Sequence, residues 1–129
     1  MILVDTSAWV EFLRDTGTAA CNRVDRLLAG DIAICDPVRM EVLAGARADD
    51  HLNDLRRLLA RASIIETEPI DYEEAARLYR SCRRNGETVR KLIGCLIAAT
   101  AIRASVSVLH ADNDFDVLAR HTNLEVDLP

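Results

Sequence analysis

The chain opens Met1-Ile2-Leu3-Val4-Asp5-Thr6-Ser7-Ala8-Trp9-Val10, and this stretch decides the fold. Ile2-Leu3-Val4 is continuously apolar and aliphatic, as a parallel strand covered on both faces must be. A carboxylate ends the run, and Thr6 or Ser7 is then placed to cap a helix that starts at Ala8. Trp9, Val10 and Leu13 give that helix its apolar stripe. A short buried strand giving way to an amphipathic helix is the first half of a strand–helix–strand unit.

The alternation continues along the chain. A helix is expected from about Thr18 to Ala29, with Val24, Leu27 and Leu28 inward and Gly30 as its stop. Ile32 to Cys35 reads as the second strand. Asp36-Pro37 pairs a capping carboxylate with proline at the first helical position, so a helix carries Val38, Glu41 and Val42 to near Gly45. Leu52, Leu55, Leu58 and Leu59 share one side of a helix from Asp50 to Arg61, and Ser63 to Glu66 is a third strand. Asp71 and Glu74 form a capping box that opens a helix ending near Arg84, where Asn85-Gly86 turns the chain. A helix from Lys91 to Arg103, a strand Val106 to Leu109, a helix Asn113 to His121 and a terminal strand Leu124 to Val126 complete the reading. This is a parallel-sheet α/β fold. At 129 residues it is expected to form a single domain spanning 1–129.

Composition narrows the function classes. Half the chain is hydrophobic, and with one Trp, two Tyr and two Phe the interior must be aliphatic. No apolar run approaches the roughly 20 residues that span a bilayer. Asp5 interrupts the apolar start and no basic flank precedes it, so neither a signal peptide nor a membrane partner is expected and the setting is cytoplasmic. Cys21, Cys35, Cys82 and Cys95 lack metal-ligand spacing and read as reduced structural thiols. A net charge of −5 argues against nucleic-acid binding by bulk charge. Yet only Lys91 among the 16 basic residues is lysine, and arginine suits bidentate phosphate contacts. Arg77, Arg80, Arg83, Arg84, Arg90 and Lys91 form one local concentration, which is either a solvated helix end or a phosphate-holding patch.

Four acids carry the chemistry. Asp5 follows the first strand, Asp112 and Asp114 follow the strand ending at Leu109, and Glu41 lies in the helix after the second strand. Ligands of open parallel sheets bind at the carboxyl ends of the strands. Carboxylates gathered there repel one another unless a cation neutralises them, and all-oxygen ligands favour Mg²⁺ or Mn²⁺. That is the outline of a metal-dependent phosphodiesterase. Taken singly, Asp5 is also an ordinary helix cap and Glu41 an ordinary exposed helical glutamate. Asp112, Asp114 and Asp116 alternate as at the start of a calcium loop, but the later glycine and glutamate are absent. Asp116 is left as a helix N-terminal charge, and His110 as a structural histidine at the strand end. A receiver domain would need an acid pair after the first strand, and a dehalogenase-type phosphatase a D-x-D motif; Asp5-Thr6-Ser7 is neither.

Three blocks, Val4-Asp5-Thr6-Ser7-Ala8-Trp9, Pro37-Val38-Arg39-Met40-Glu41-Val42-Leu43-Ala44-Gly45 and Leu109-His110-Ala111-Asp112-Asn113-Asp114-Phe115, resemble in order and spacing those of PIN-domain ribonucleases. The VapC toxin branch of bacterial type II toxin–antitoxin systems is the nearest match, over essentially the whole chain. The resemblance implies a three-layer α/β/α fold and an endoribonuclease using Mg²⁺ or Mn²⁺. It implies Asp5, Glu41, Asp112 and Asp114 as catalytic metal-binding acids, with Thr6 and Ser7 orienting a carboxylate or phosphate behind them. Arg83, Arg84, Arg90 and Lys91 are the candidates for holding the RNA substrate. The implied partners are a VapB-type antitoxin, whose tail covers the groove, and a second copy in a homodimer. The apolar stripes at Trp9–Leu13 and Leu52–Leu59 are broad enough to permit such an interface.

The chain departs from the pattern at one place. In Leu92-Ile93-Gly94-Cys95-Leu96-Ile97-Ala98-Ala99 the flanks match, but Gly94 stands where the family has an acid. Glycine within a helix costs about 1 kcal/mol relative to alanine, and no turn is wanted here. Three explanations stay open: an introduced inactivating change, a naturally degenerate protein, or a site served by fewer or shifted ligands such as Glu87. In each, catalysis by this chain is expected to be impaired, and at the limit the chain is a non-cleaving domain that binds RNA or a partner.

Overall fold

The computed structural model describes residues 1–129. Four strands, β1 (Ile2–Val4), β2 (Ile32–Ile34), β3 (Ser63–Ile64) and β4 (Ser107–Leu109), form one parallel sheet in the order β3-β2-β1-β4. The most apolar strand therefore lies inside: Leu3 pairs with Ala33 on one side and Val108 on the other, and all three are fully buried. Helices α1 (Thr6–Leu13) and α2 (Ala19–Leu27) connect β1 to β2, and α3 (Asp36–Ala44) and α4 (Asp49–Leu59) connect β2 to β3. Helices α5 (Pro69–Arg84) and α6 (Leu92–Ala104) carry the chain back across the sheet to β4, and α7 (Asn113–His121) follows.

The direction of progression reverses at β1. Because parallel crossovers are right-handed, α1 to α4 cover one face of the sheet and α5 and α6 the other. This is the expected α/β/α sandwich. The reversal also leaves a crevice beyond the carboxyl ends of β1 and β4, since the chain departs in opposite directions from them.

Several local expectations change. Helix α1 begins at Thr6 rather than Ala8, and its cap is Asp5, whose carboxylate accepts from the Ser7 amide. Asp36 is the first residue of α3, behind an N-cap Cys35 that makes no side-chain capping bond. The capping box of α5 pairs Glu68 with Asp71, not Asp71 with Glu74, because Pro69 opens the helix three residues earlier. The expected terminal strand shrinks to one bridge, Val126 with Val108: of the tail only Leu124 is buried, and Leu128 lies in solvent. The leucine stripe of α4 packs inward through Leu55 and Leu59, and Trp9 is fully buried; Leu13 is the exposed remainder of the first stripe. All four cysteines are free and buried.

Candidate active site

Helix capping builds the first half of the site. As β1 ends, its backbone stays in register with β4 through the Asp5 amide, which donates to the Leu109 carbonyl at 2.9 Å. Asp5 then turns to cap α1, and its Oδ2 also accepts from the Ser7 hydroxyl. Ser7 Oγ accepts in turn from the Ala111 amide at 2.9 Å, which ties the loop after β4 to the start of α1. Thr6 Oγ1 donates to Glu41 Oε1 at 2.7 Å, linking α1 to α3 across 35 residues of sequence. Thr6 and Ser7 thus each hold one carboxylate and fix the approach of three segments.

Asp5 is 5 % exposed. Burial pushes its carboxyl pKa up; the Ser7 hydroxyl and the Ser7 and Thr6 amides oppose the rise, and the nearby Glu41 charge adds to it. A buried, hydrogen-bonded carboxylate with a like charge beside it is a place prepared for a cation.

Capping also builds the second half. Asp112 is the N-cap of α7 and accepts from the Asp114 amide at 2.9 Å. Asp114, 3 % exposed, accepts at Oδ1 from the Arg90 amide and at Oδ2 from the Lys91 amide, each at 3.2 Å, just ahead of α6. Arg90 adds its side chain: Nε donates to Asp114 at 3.4 Å and Nη2 to Asp112 at 3.2 Å. Beside them His110 stacks on Phe115 at 5.2 Å between ring centroids, while its Nδ1 accepts from the Asp112 amide. Asp116 sits 3.5 Å from His110 Nε2, within the first turn of α7.

Asp5, Glu41, Asp112 and Asp114 all line one cavity of about 320 Å³, with Thr6, Ser7, Lys91 and Gly94 on its walls. Gly94 is buried in the first turn of α6, and a Cβ built on it would meet only Phe115 Cζ, at 3.9 Å. A side chain at 94 would therefore be accommodated. Of the four residues expected to hold RNA only Lys91 lines this cavity: Arg83 lies over the Tyr79 ring at 5.6 Å, Arg84 borders a separate groove with Arg77 and His121, and Arg90 reaches Asp112 and Asp114 from outside it. Glu87, the shifted ligand considered above, is instead paired with Arg120 and His121. Sequence reasoning missed Glu11 and Arg14, which also line the cavity. Their signal was present, because Ser7, Glu11 and Arg14 recur at helical spacing on one face of α1.

The all-oxygen donors suit a hard divalent ion. In the present arrangement the four carboxylates share the cavity, but no three acids, histidines or cysteines converge closely enough to close around an ion. Position 94 contributes no ligand, and Arg90 is bound to two of the four acids.

Residues 2–121 match the family described as PIN domain. The chain is 50% identical over 129 residues to Ribonuclease VapC11 of Mycobacterium tuberculosis, covering 97% of this chain and 96% of that one. The same identity and coverage relate it to VapC ribonuclease Mb1587 of Mycobacterium bovis. Among solved structures, VapBC2 from Rickettsia felis, bound to a DNA fragment from its promoter, superposes with a TM-score of 0.76. It is 21% identical and covers 98% of both chains, a likeness of fold.

Proposed function

This chain belongs to the PIN-domain family, and from that membership we propose that it is the toxin of a type II toxin–antitoxin pair, a VapC-type endoribonuclease whose cleavage is impaired by Gly94. Family members of this kind are generally metal-dependent, and Mg²⁺ or Mn²⁺ is the ion we assign. The observation that carries the reading is the gathering of Asp5, Glu41, Asp112 and Asp114 on one cavity, from four positions spread over the chain.

The chain's own residues have assignable roles. Ser7 and Thr6 hold the Asp5 and Glu41 carboxylates in fixed orientations. Lys91 and Arg14 are exposed residues of the cavity lining, where each can meet a backbone phosphate of single-stranded RNA. With an acid pocket and a cationic rim, an antitoxin tail bearing an arginine is the complementary partner. A non-cleaving RNA-binding role describes the same chain if Gly94 abolishes turnover.

The test is cleavage of a labelled RNA pool by this chain and by Gly94→Asp, each with Mg²⁺, Mn²⁺ or EDTA. Metal-dependent fragments should appear with the substituted protein and be weak or absent with the parent. Failure of Gly94→Asp to cut under any condition would leave only the binding role.

A further inference from the structure

The four acids are not equivalent. In Asp5, Glu41 and Asp112 one carboxylate oxygen accepts hydrogen bonds from the protein, whereas in Asp114 both do. Asp114 holds the Arg90 and Lys91 amides and the Arg90 Nε, which makes it the clamp that fixes the approach to α6. The clamped Arg90 then reaches Asp112 with Nη2. Its side chain is 70% exposed, yet it meets one carboxylate that is 4% exposed and another that is 18% exposed. A guanidinium bridging two acids is a pre-organised cation, and its charge is fixed at any physiological pH.

We propose that Arg90 is a built-in counter-ion which bridges Asp112 and Asp114 from outside the acid cavity and competes with the divalent ion for these two carboxylates. Asp114 is then both one of the pocket's acids and the group that positions Arg90. Divalent-ion binding then requires the guanidinium to leave Asp112, and the pocket's remaining negative charge sets how readily it does so. Gly94 tips that balance toward Arg90, because one acid fewer attracts the ion. The inference rests on the acids being the family's metal centre.

The same substitution should move two properties in opposite directions, which a merely structural role for Arg90 would not do. Calorimetric titration with Mn²⁺ should show Arg90→Gln binding about tenfold more tightly than the parent, since a positive charge a few Å from the ion is gone. In EDTA, Arg90→Gln should melt below the parent, because two acids lose their counter-ion. Arg90→Lys keeps the charge but cannot bridge both acids, so its Mn²⁺ affinity should be intermediate. In the unsubstituted protein, the Arg90 Nε–H resonance should shift in step with Mg²⁺ binding as the guanidinium is displaced. Equal or weaker Mn²⁺ binding by Arg90→Gln, with Asp5→Asn weaker than the parent, would overturn the counter-ion and leave the metal centre standing. Absence of Mn²⁺ binding in the parent, Arg90→Gln and Gly94→Asp alike would overturn the metal centre and the counter-ion together.

Discussion

Gly94→Asp should weaken the metal-free protein and strengthen the metal-loaded one. The substitution meets no steric barrier, with Phe115 Cζ 3.9 Å from the new Cβ. Locally it is favourable: replacing glycine within a helix gains about 0.3 kcal/mol for aspartate, and a carboxylate in the first turn gains about 0.5 kcal/mol from the helix dipole. Repulsion opposes this. Two unit charges at about 4 Å repel by about 4 kcal/mol at an effective dielectric of about 20, so one more carboxylate on this cavity is disfavoured by roughly 2 kcal/mol, part of which Arg90 offsets. The net expectation is a loss of about 1 to 2 kcal/mol without metal, or a fall in Tm of about 4 to 7 °C for a domain of this size. Trp9, the single buried tryptophan, gives an intrinsic fluorescence probe of the melt. Millimolar Mn²⁺ should raise the Tm of the substituted protein above its EDTA value by more than it raises that of the parent. A metal-free Gly94→Asp protein that melts clearly above the parent would refute the reasoning, for the pocket would then carry no net repulsion.

Other perturbations separate structural from functional acids. Asp71 is 1% exposed and accepts from Arg103 Nε at 2.9 Å, Arg103 Nη2 at 3.1 Å, Thr100 Oγ1 at 3.1 Å and the Glu68 amide at 2.9 Å. Asp71→Ala removes two hydrogen bonds of Arg103, which keeps Glu66 and Glu68, together with the α5 cap, and should cost about 2 to 3 kcal/mol in urea unfolding, with metal binding unchanged in the folded fraction. Arg120 and His121 beside Glu87 hold its carboxyl down to about 2, against an ordinary value of 4.5. A lowered carboxylate contributes stability that is present above about pH 4.5 and disappears as pH falls toward about 2, so the urea-midpoint gap between parent and Glu87→Gln should close over that window. Asp5 runs the other way: its pKa is raised chiefly by burial, so its ionisation costs stability as pH rises through the folded value. Asp5→Asn, which keeps a capping side chain, should match the parent in acid and exceed it in Tm at neutral pH without metal.

The α/β alternation was legible because each short strand is continuously aliphatic and each helix carries its own periodicity. Element order followed from that, down to α7 at Asn113–His121. Caps were less legible where candidates stand side by side. Asp5, Thr6 and Ser7 are all competent caps, and only the three-dimensional demand for Thr6 at Glu41 leaves the task to Asp5. At α5, Asp71-x-x-Glu74 mimics a capping box that Glu68-x-x-Asp71 forms in fact, because Pro69 fixes the start. The four acids stood out singly by their places after strands or inside a helix. What spacing does not encode is the partnership of Arg90 with Asp112 and Asp114, 22 and 24 residues away. That contact depends on how the loop before α6 meets the start of α7, which is a property of the packed sandwich and not of any local pattern.

The most direct test of the central claim is made in a bacterial host carrying this chain, Gly94→Asp, or Gly94→Asp with Asp5→Asn, each on an inducible promoter. Growth is followed and newly created RNA 5′ ends are mapped after induction. Growth arrest with a discrete set of new RNA ends for Gly94→Asp alone is the predicted result. Undiminished growth with no new ends for Gly94→Asp, or the same ends when Asp5 is also replaced, would contradict it.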